Sequence, residues 1–170
     1  LILGWTHRTP AIANTLLATE GALDRFLARQ SRTELTIVIL VDEITPEVRQ
    51  DLREQLGERW NDRQILLRAG SAQHMEHLQR VAYHDAAVII LPGADFTSQR
   101  PGVVDAETVK TLLSISAELE SDGSHTPLAV AGLYDSDRAP LARAAYRGQT
   151  EVVLADEIVG QLISRCVQQP

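Results

Sequence analysis

Short apolar runs alternate with amphipathic stretches along the whole chain. Residues 1–4 read as a first strand that stops at Gly4. Thr9-Pro10 then predicts a helix start, with Thr9 as N-cap and proline at the first helical position. Ile12, Leu16, Leu17, Leu23, Phe26 and Leu27 give that single long helix an apolar stripe. ELTIVILVD is the second strand. Its continuous apolar centre, Ile37 to Val41, suits a strand buried on both faces. Thr45-Pro46 opens a second helix whose inner face carries Val48, Leu52 and Leu56.

The alternation continues. RQILLRAGS predicts a third strand, followed by a helix through Met75, Leu78 and Val81. AAVIILPGAD is a fourth strand. DAETVKTLLSISAELES is a helix with Val109, Leu112, Leu113, Ile115 and Leu119 inside. TPLAVAGLYD is a fifth strand, and DRAPLARAAYRG a short helix ended by Gly148. TEVVLA is a sixth strand, and DEIVGQLISRCV the last helix. Strict strand–helix alternation predicts an α/β fold: a doubly wound, mainly parallel, six-stranded Rossmann-like sheet with helices on both faces. Residues 1–170 read as a single domain. Loops at residues 95–101 and 121–126, rich in Gly, Ser, Asp and Pro, are the segments expected to move.

Composition narrows the function. The 170 residues carry a net charge of -7, which argues against a nucleic-acid partner. No apolar run approaches about 18 residues, the length a spanning helix needs. Cys166 is the one cysteine, so an internal disulfide or a cysteine metal knuckle is excluded. The chain starts at Leu1, already inside a strand, and so reads as a piece of a longer protein.

In a doubly wound sheet, ligands sit beyond the carboxyl ends of the strands, where the two halves diverge. The residues predicted there are Gly4, Trp5, Thr6, His7, Arg8, Asp42, Gly70, Ser71, Pro92 and Gly93. A dinucleotide fingerprint needs three glycines, for the turn, for pyrophosphate approach and for close helix packing. Here those positions are Gly4, Thr6 and Thr9, so the standard NAD pattern is degenerate. The Cβ atoms of Thr6 and Thr9 are expected to crowd a pyrophosphate. The helix start, with Arg8 and His7 beside it, still suits an anion or nucleotide in an altered pose, and Trp5 either covers an adenine or fills a gap. Asp42 stands where a ribose-binding acid belongs. Alternatively, Asp42 and Glu43, with Asp95, suit a calcium ion. His74 and His77, three apart on one helix, suit either a metal or a partly exposed helix face. His84-Asp85 reads as a capping or turn pair.

For catalysis the chain offers little. It has no Gly-x-Ser-x-Gly elbow, no Walker lysine motif and no Tyr-x-x-x-Lys pair, and Lys110 is its only lysine. A non-enzyme is expected. The last helix carries two apolar lines, Ile158–Leu162–Cys166 and Val159–Ile163–Val167. One line is expected to pack on the sheet and the other to meet a partner subunit.

ILGWTHRTPAI resembles the opening of the cytosolic domains of Castor/Pollux-type ion channels, which are related to RCK (TrkA-N) regulatory domains. RAGSAQHMEHLQRVAYHDAAVIILPG, DAETVKTLLSI and EVVLADEIVGQLISRCVQQP resemble later segments of the same domains, in the same order. The resemblance implies a soluble, ligand-sensing domain on the cytoplasmic face of the membrane, attached to a channel pore in its parent chain and regulating a potassium or other cation channel. It implies a homodimer that builds into a tetramer or ring, and calcium, an adenine nucleotide or NAD as ligand. An oxidoreductase domain and a ligand-free scaffold are the alternatives. Thr6, Thr9 and the Ala69-Gly70-Ser71 turn depart from the family pattern for nucleotide binding.

Overall fold

The computed structural model describes residues 1–18, 20–93, 101–122 and 125–168. Six parallel strands form one sheet in the order β3-β2-β1-β4-β5-β6. They are β1 (Ile2–Leu3), β2 (Ile37–Val41), β3 (Ile65–Ala69), β4 (Val88–Leu91), β5 (Leu128–Leu133) and β6 (Thr150–Leu154). The helices are α1 (Thr9–Ala18), α2 (Glu20–Arg29), α3 (Pro46–Leu56), α4 (Met75–Arg80), α5 (Pro101–Asp122), α6 (Ala139–Ala145) and α7 (Ala155–Gln168). The Rossmann-like expectation holds, with β1 and β4 side by side where the winding reverses.

Side chains alternate across the sheet, so each strand feeds two cores. On one face Ile2, Ile37, Ile39, Ile65 and Leu67 meet Ala13 of α1 and Leu52 and Leu56 of α3. On the other, Leu3, Leu40, Ile89, Leu91, Ala129 and Ala131 meet Leu78 of α4, Leu112 and Ile115 of α5 and Ala142 of α6. Burying each such aliphatic side chain contributes about 1.5–3 kcal/mol. Coverage is unequal. The face that α1 and α3 cover over β1–β3 continues onto β4–β6 with Ile90, Val130 and Gly132 only partly buried and Glu151 and Val153 exposed.

Several boundaries differ from the pattern. The expected first helix is present as α1 and α2, and Thr19 between them lies outside the described residues. Thr45 caps α3 as expected, its Oγ1 accepting from Val48 N at 3.3 Å with proline next. Thr9 does not cap α1 in that way: it is itself the first helical residue, and its hydroxyl turns back toward the strand. α5 begins at Pro101 rather than Asp105, since proline is tolerated in a first turn; residues 95–100 of the expected loop lie outside the described residues. The second expected loop is helical through Asp122, and 123–124 lie outside the description. α6 ends at Ala145, before Gly148, because Tyr146 turns extended and donates its hydroxyl to Pro127 O at 2.7 Å. Gly148 serves packing instead: a Cβ there would stand 2.5 Å from Thr126 Cγ2 and 2.6 Å from the Tyr146 ring.

Candidate functional site

β1 is only two residues long, and the chain leaves it through Gly4, whose φ of +106° an L side chain rarely adopts. Gly4 N donates to Leu40 O at 2.9 Å, tying the turn to the end of β2. The next residues bond among themselves. Thr6 N donates to Thr9 Oγ1 at 3.0 Å, Arg8 N to Thr6 Oγ1 at 3.2 Å, and Thr9 N to Thr6 O at 3.0 Å. Thr9 Oγ1 also lies 3.5 Å from Gly4 O and 3.4 Å from Thr6 Oγ1. Thr6 is 3% exposed and Thr9 0%. The expected Cβ crowding takes a more specific form: both threonines are buried, and their hydroxyls accept from the N–H groups of Thr6 and Arg8 in the turn just before the helix.

Trp5 packs against the α1–α3 core, which answers in favour of gap filling. His7 is exposed. Arg8 reaches over the neighbouring strand ends to Tyr134, just past β5. Its guanidinium carbon lies 5.9 Å from the ring centroid, with a long 3.5 Å contact from Nη2 to the hydroxyl.

Tyr134 is held from behind. Asp105 of α5, 0% exposed, accepts from Tyr134 N at 3.1 Å and from Asp135 N at 2.9 Å. A buried carboxylate needs such donors, because desolvation would otherwise penalise its charge. Arg138 closes the same corner, donating to Gly102 O at 2.7 Å and standing 3.4 Å from Asp135. Between these groups, Pro92 and Gly93 leave β4 against β5. A Cβ on Gly132 would lie 2.9 Å from Pro92 O, and one on Gly93, at φ +76°, would lie 3.1 Å from Gly132 O. The two glycines let the strand ends close into a floor.

The remaining predicted residues sit along the same edge of the sheet. Asp42 and Glu43 are exposed directly after β2. Gly70 N donates to Val41 O at 2.7 Å, and Ser71 N to His77 Nδ1 at 2.9 Å. That bond gives His77 a turn-holding role in place of the metal reading; His74 meets it edge-on, with ring centroids 5.3 Å apart. Among the described residues no three His, Cys, Asp or Glu side chains converge on a metal position. Asp95, the third acid expected near Asp42 and Glu43, lies outside the described residues. His84 and Asp85 pair at 3.5 Å in an exposed 3-10 turn, as expected.

Three contributors were not singled out from sequence: Asp105, Tyr134 and His77 as a backbone acceptor. Asp105 carried a signal, being an acid next to Val104 at the start of an otherwise apolar helix face.

The last helix differs from its expectation. α7 begins at Ala155 with no residue between it and β6, and its described side chains from Glu157 onward are exposed. Ile158, Val159 and Leu162 are 46%, 53% and 56% exposed, and Cys166 is exposed too. The described members of both apolar lines therefore face solvent, and the expected packing of one line on the sheet is not observed. The side chains of Ile163 and Val167 lie outside the described residues.

No family model matches the chain. Its whole length aligns with plant ion channels. It is 24% identical to a probable ion channel POLLUX of Arabidopsis thaliana, 25% to the ion channel DMI1 of Medicago truncatula and 24% to the ion channel CASTOR of Lotus japonicus. This chain is a relative of the Castor/Pollux-type ion channels. It spans 19%, 18% and 18% of those three proteins. Among the described residues no helix is long and apolar enough to cross a membrane. The similarity thus covers about a fifth of each of these longer proteins, which are named as channels rather than enzymes.

Proposed function

We propose that this chain is a ligand-sensing, subunit-pairing regulatory domain that acts on the gate of a potassium or other cation channel from the cytoplasmic face. The observation that carries this reading is α7. A helix with Ile158, Val159 and Leu162 all about half exposed leaves apolar area in water. The partly open face of β4–β6, where Val153 is exposed beside Glu151, is a second unfilled surface of the same chain, and two copies related by a two-fold axis would cover both reciprocally. Dimers of this kind would build into a tetramer or ring beneath the pore.

The ligand reading rests on the strand ends between the β1–α1 turn and Tyr134, with Asp42 and Glu43 exposed after β2. Calcium suits the acids, together with Asp95; an adenine nucleotide or NAD suits the basic side of Arg8. A ligand that prefers one ring geometry shifts the population of gate states by its difference in affinity for them.

Sedimentation of the purified chain tests pairing, with a dimer expected. Calorimetry with calcium, NAD, NADH, ATP, ADP and AMP tests sensing. Heat lost on Asp42→Ala with Glu43→Ala identifies a cation site, and heat lost on Arg8→Ala an anion site. A dimer silent to the whole panel would replace this reading with a ligand-free scaffold.

A further inference from the structure

The β1–α1 turn combines two facts that do not depend on what the domain regulates. Its N–H groups at Thr6, Arg8 and Thr9 all end on acceptors inside the turn, and two of those acceptors are side-chain hydroxyls. Both hydroxyls belong to threonines at the second and third positions of a glycine fingerprint, and both are almost wholly buried. In a phosphate-binding turn, the corresponding backbone donors are left for the ligand's oxygens.

We infer that Thr6 and Thr9 are specificity-determining residues that act as resident substitutes for phosphate oxygens, closing this turn to pyrophosphate-bearing ligands. A dinucleotide would have to displace Thr6 Oγ1 from Arg8 N and Thr9 Oγ1 from Thr6 N. It would also have to push two buried side chains out of a packed turn with few places to go. Gly4 keeps the left-handed turn itself, and a Cβ there would meet nothing within 4 Å, so the backbone path of a nucleotide-binding turn is retained. The ligand class is thus set by two side chains rather than by the fold. Any nucleotide reading of these strand ends is confined to groups that approach from Arg8 and Tyr134, outside the turn.

The test compares the unmodified chain with Thr6→Gly/Thr9→Gly, using NAD and ADP-ribose as probes and two-dimensional NMR to follow individual amides. In the unmodified chain the Thr6 and Arg8 amides should exchange slowly with solvent, and the Thr6 signal should not move with probe up to about 1 mM. The double glycine variant should bind at least about tenfold more tightly than the unmodified chain, with signal changes centred on residues 4–9. Thr9→Val, which keeps the shape and removes the hydroxyl, should speed exchange at Thr6; Thr9→Ser should not.

Saturable binding to the unmodified chain that shifts the buried Thr6 amide and releases it to fast exchange would overturn the inference, whereas a shift at Arg8 alone reports a ligand outside the turn. A folded glycine variant as silent as its parent would overturn it too. If the glycine variant does not fold, exchange in the unmodified chain decides: fast Thr6 and Arg8 amides refute a hydroxyl-satisfied turn. None of these readings depends on dimer formation or on channel current, so pairing and gating stand or fall separately.

Discussion

The body of the molecule and its last helix treat their exposed chemistry in opposite ways. Around the carboxyl ends of the strands, polar groups are satisfied from within: Thr6 and Thr9 close the first turn, Asp105 holds the backbone after β5, and His77 accepts from Ser71. Along α7 the apolar groups face solvent, with Val159 and Leu162 more than half exposed. A hydrogen bond can be completed locally by a hydroxyl or carboxylate a few residues away. An apolar helix face needs a second surface of matching area, and α7 leaves β6 without the loop that would bring it back onto its own sheet. The difference teaches where this chain satisfies its own groups and where it leaves apolar area in water.

The largest expected effect breaks the outward side. Ile158→Asp with Leu162→Asp should weaken self-association at least about a hundredfold, since two half-exposed aliphatic side chains would otherwise become buried. The unfolding midpoint of the monomer should stay put, and sedimentation beside urea denaturation checks both. A loss of monomer stability instead would mean that α7 packs on its own body in solution.

Next comes the inward side. Asp105→Ala leaves the N–H groups of Tyr134 and Asp135 without their carboxylate, and should cost about 3 kcal/mol in urea unfolding. Asp105→Asn keeps an oxygen in place and should cost about 1 kcal/mol. Between those two values, Gly148→Ala forces a methyl against Thr126 and Tyr146 and should cost about 2 kcal/mol, read from the same denaturation curve.

The smallest effect is a pH dependence. Burial, with Tyr83 nearby, pushes the Tyr146 phenol up to about 12 from an ordinary 10. The native state holds that proton more tightly than the unfolded chain. Its contribution is therefore complete below pH 10 and is lost as pH rises from 10 through about 12. Tyr146→Phe should flatten that part of the alkaline unfolding profile, at a cost near 1 kcal/mol at neutral pH.

The pattern of apolar runs was enough to read all six strands and the parallel winding, because short apolar runs alternate with helical spacing along the whole chain and the central strands carry no polar position to disguise them. Ile37 to Val41 is the plainest case. Boundaries were less legible. Thr9-Pro10 and Thr45-Pro46 look alike on paper, yet only Thr45 caps its helix; Thr9 is drawn to Thr6 N by the Gly4 turn before it. The edge that carries the candidate site was also readable, since parallel topology puts every β-to-α turn at the same end. Asp105 was not, because its partners lie 29 and 30 residues away, and such pairings exist only after the chain has folded.

By itself the sequence determined the winding of the sheet, the single-glycine first turn and the two apolar lines of the last helix. All three are local: each follows from side-chain size, polarity and spacing within a few residues. Tertiary structure alone decided that the threonine hydroxyls turn inward, that Arg8 meets Tyr134 across the strand ends, and that Ile158, Val159 and Leu162 of α7 stay exposed. Those outcomes depend on which surfaces remain once the others are packed, and hydrophobic spacing along a chain does not carry that information.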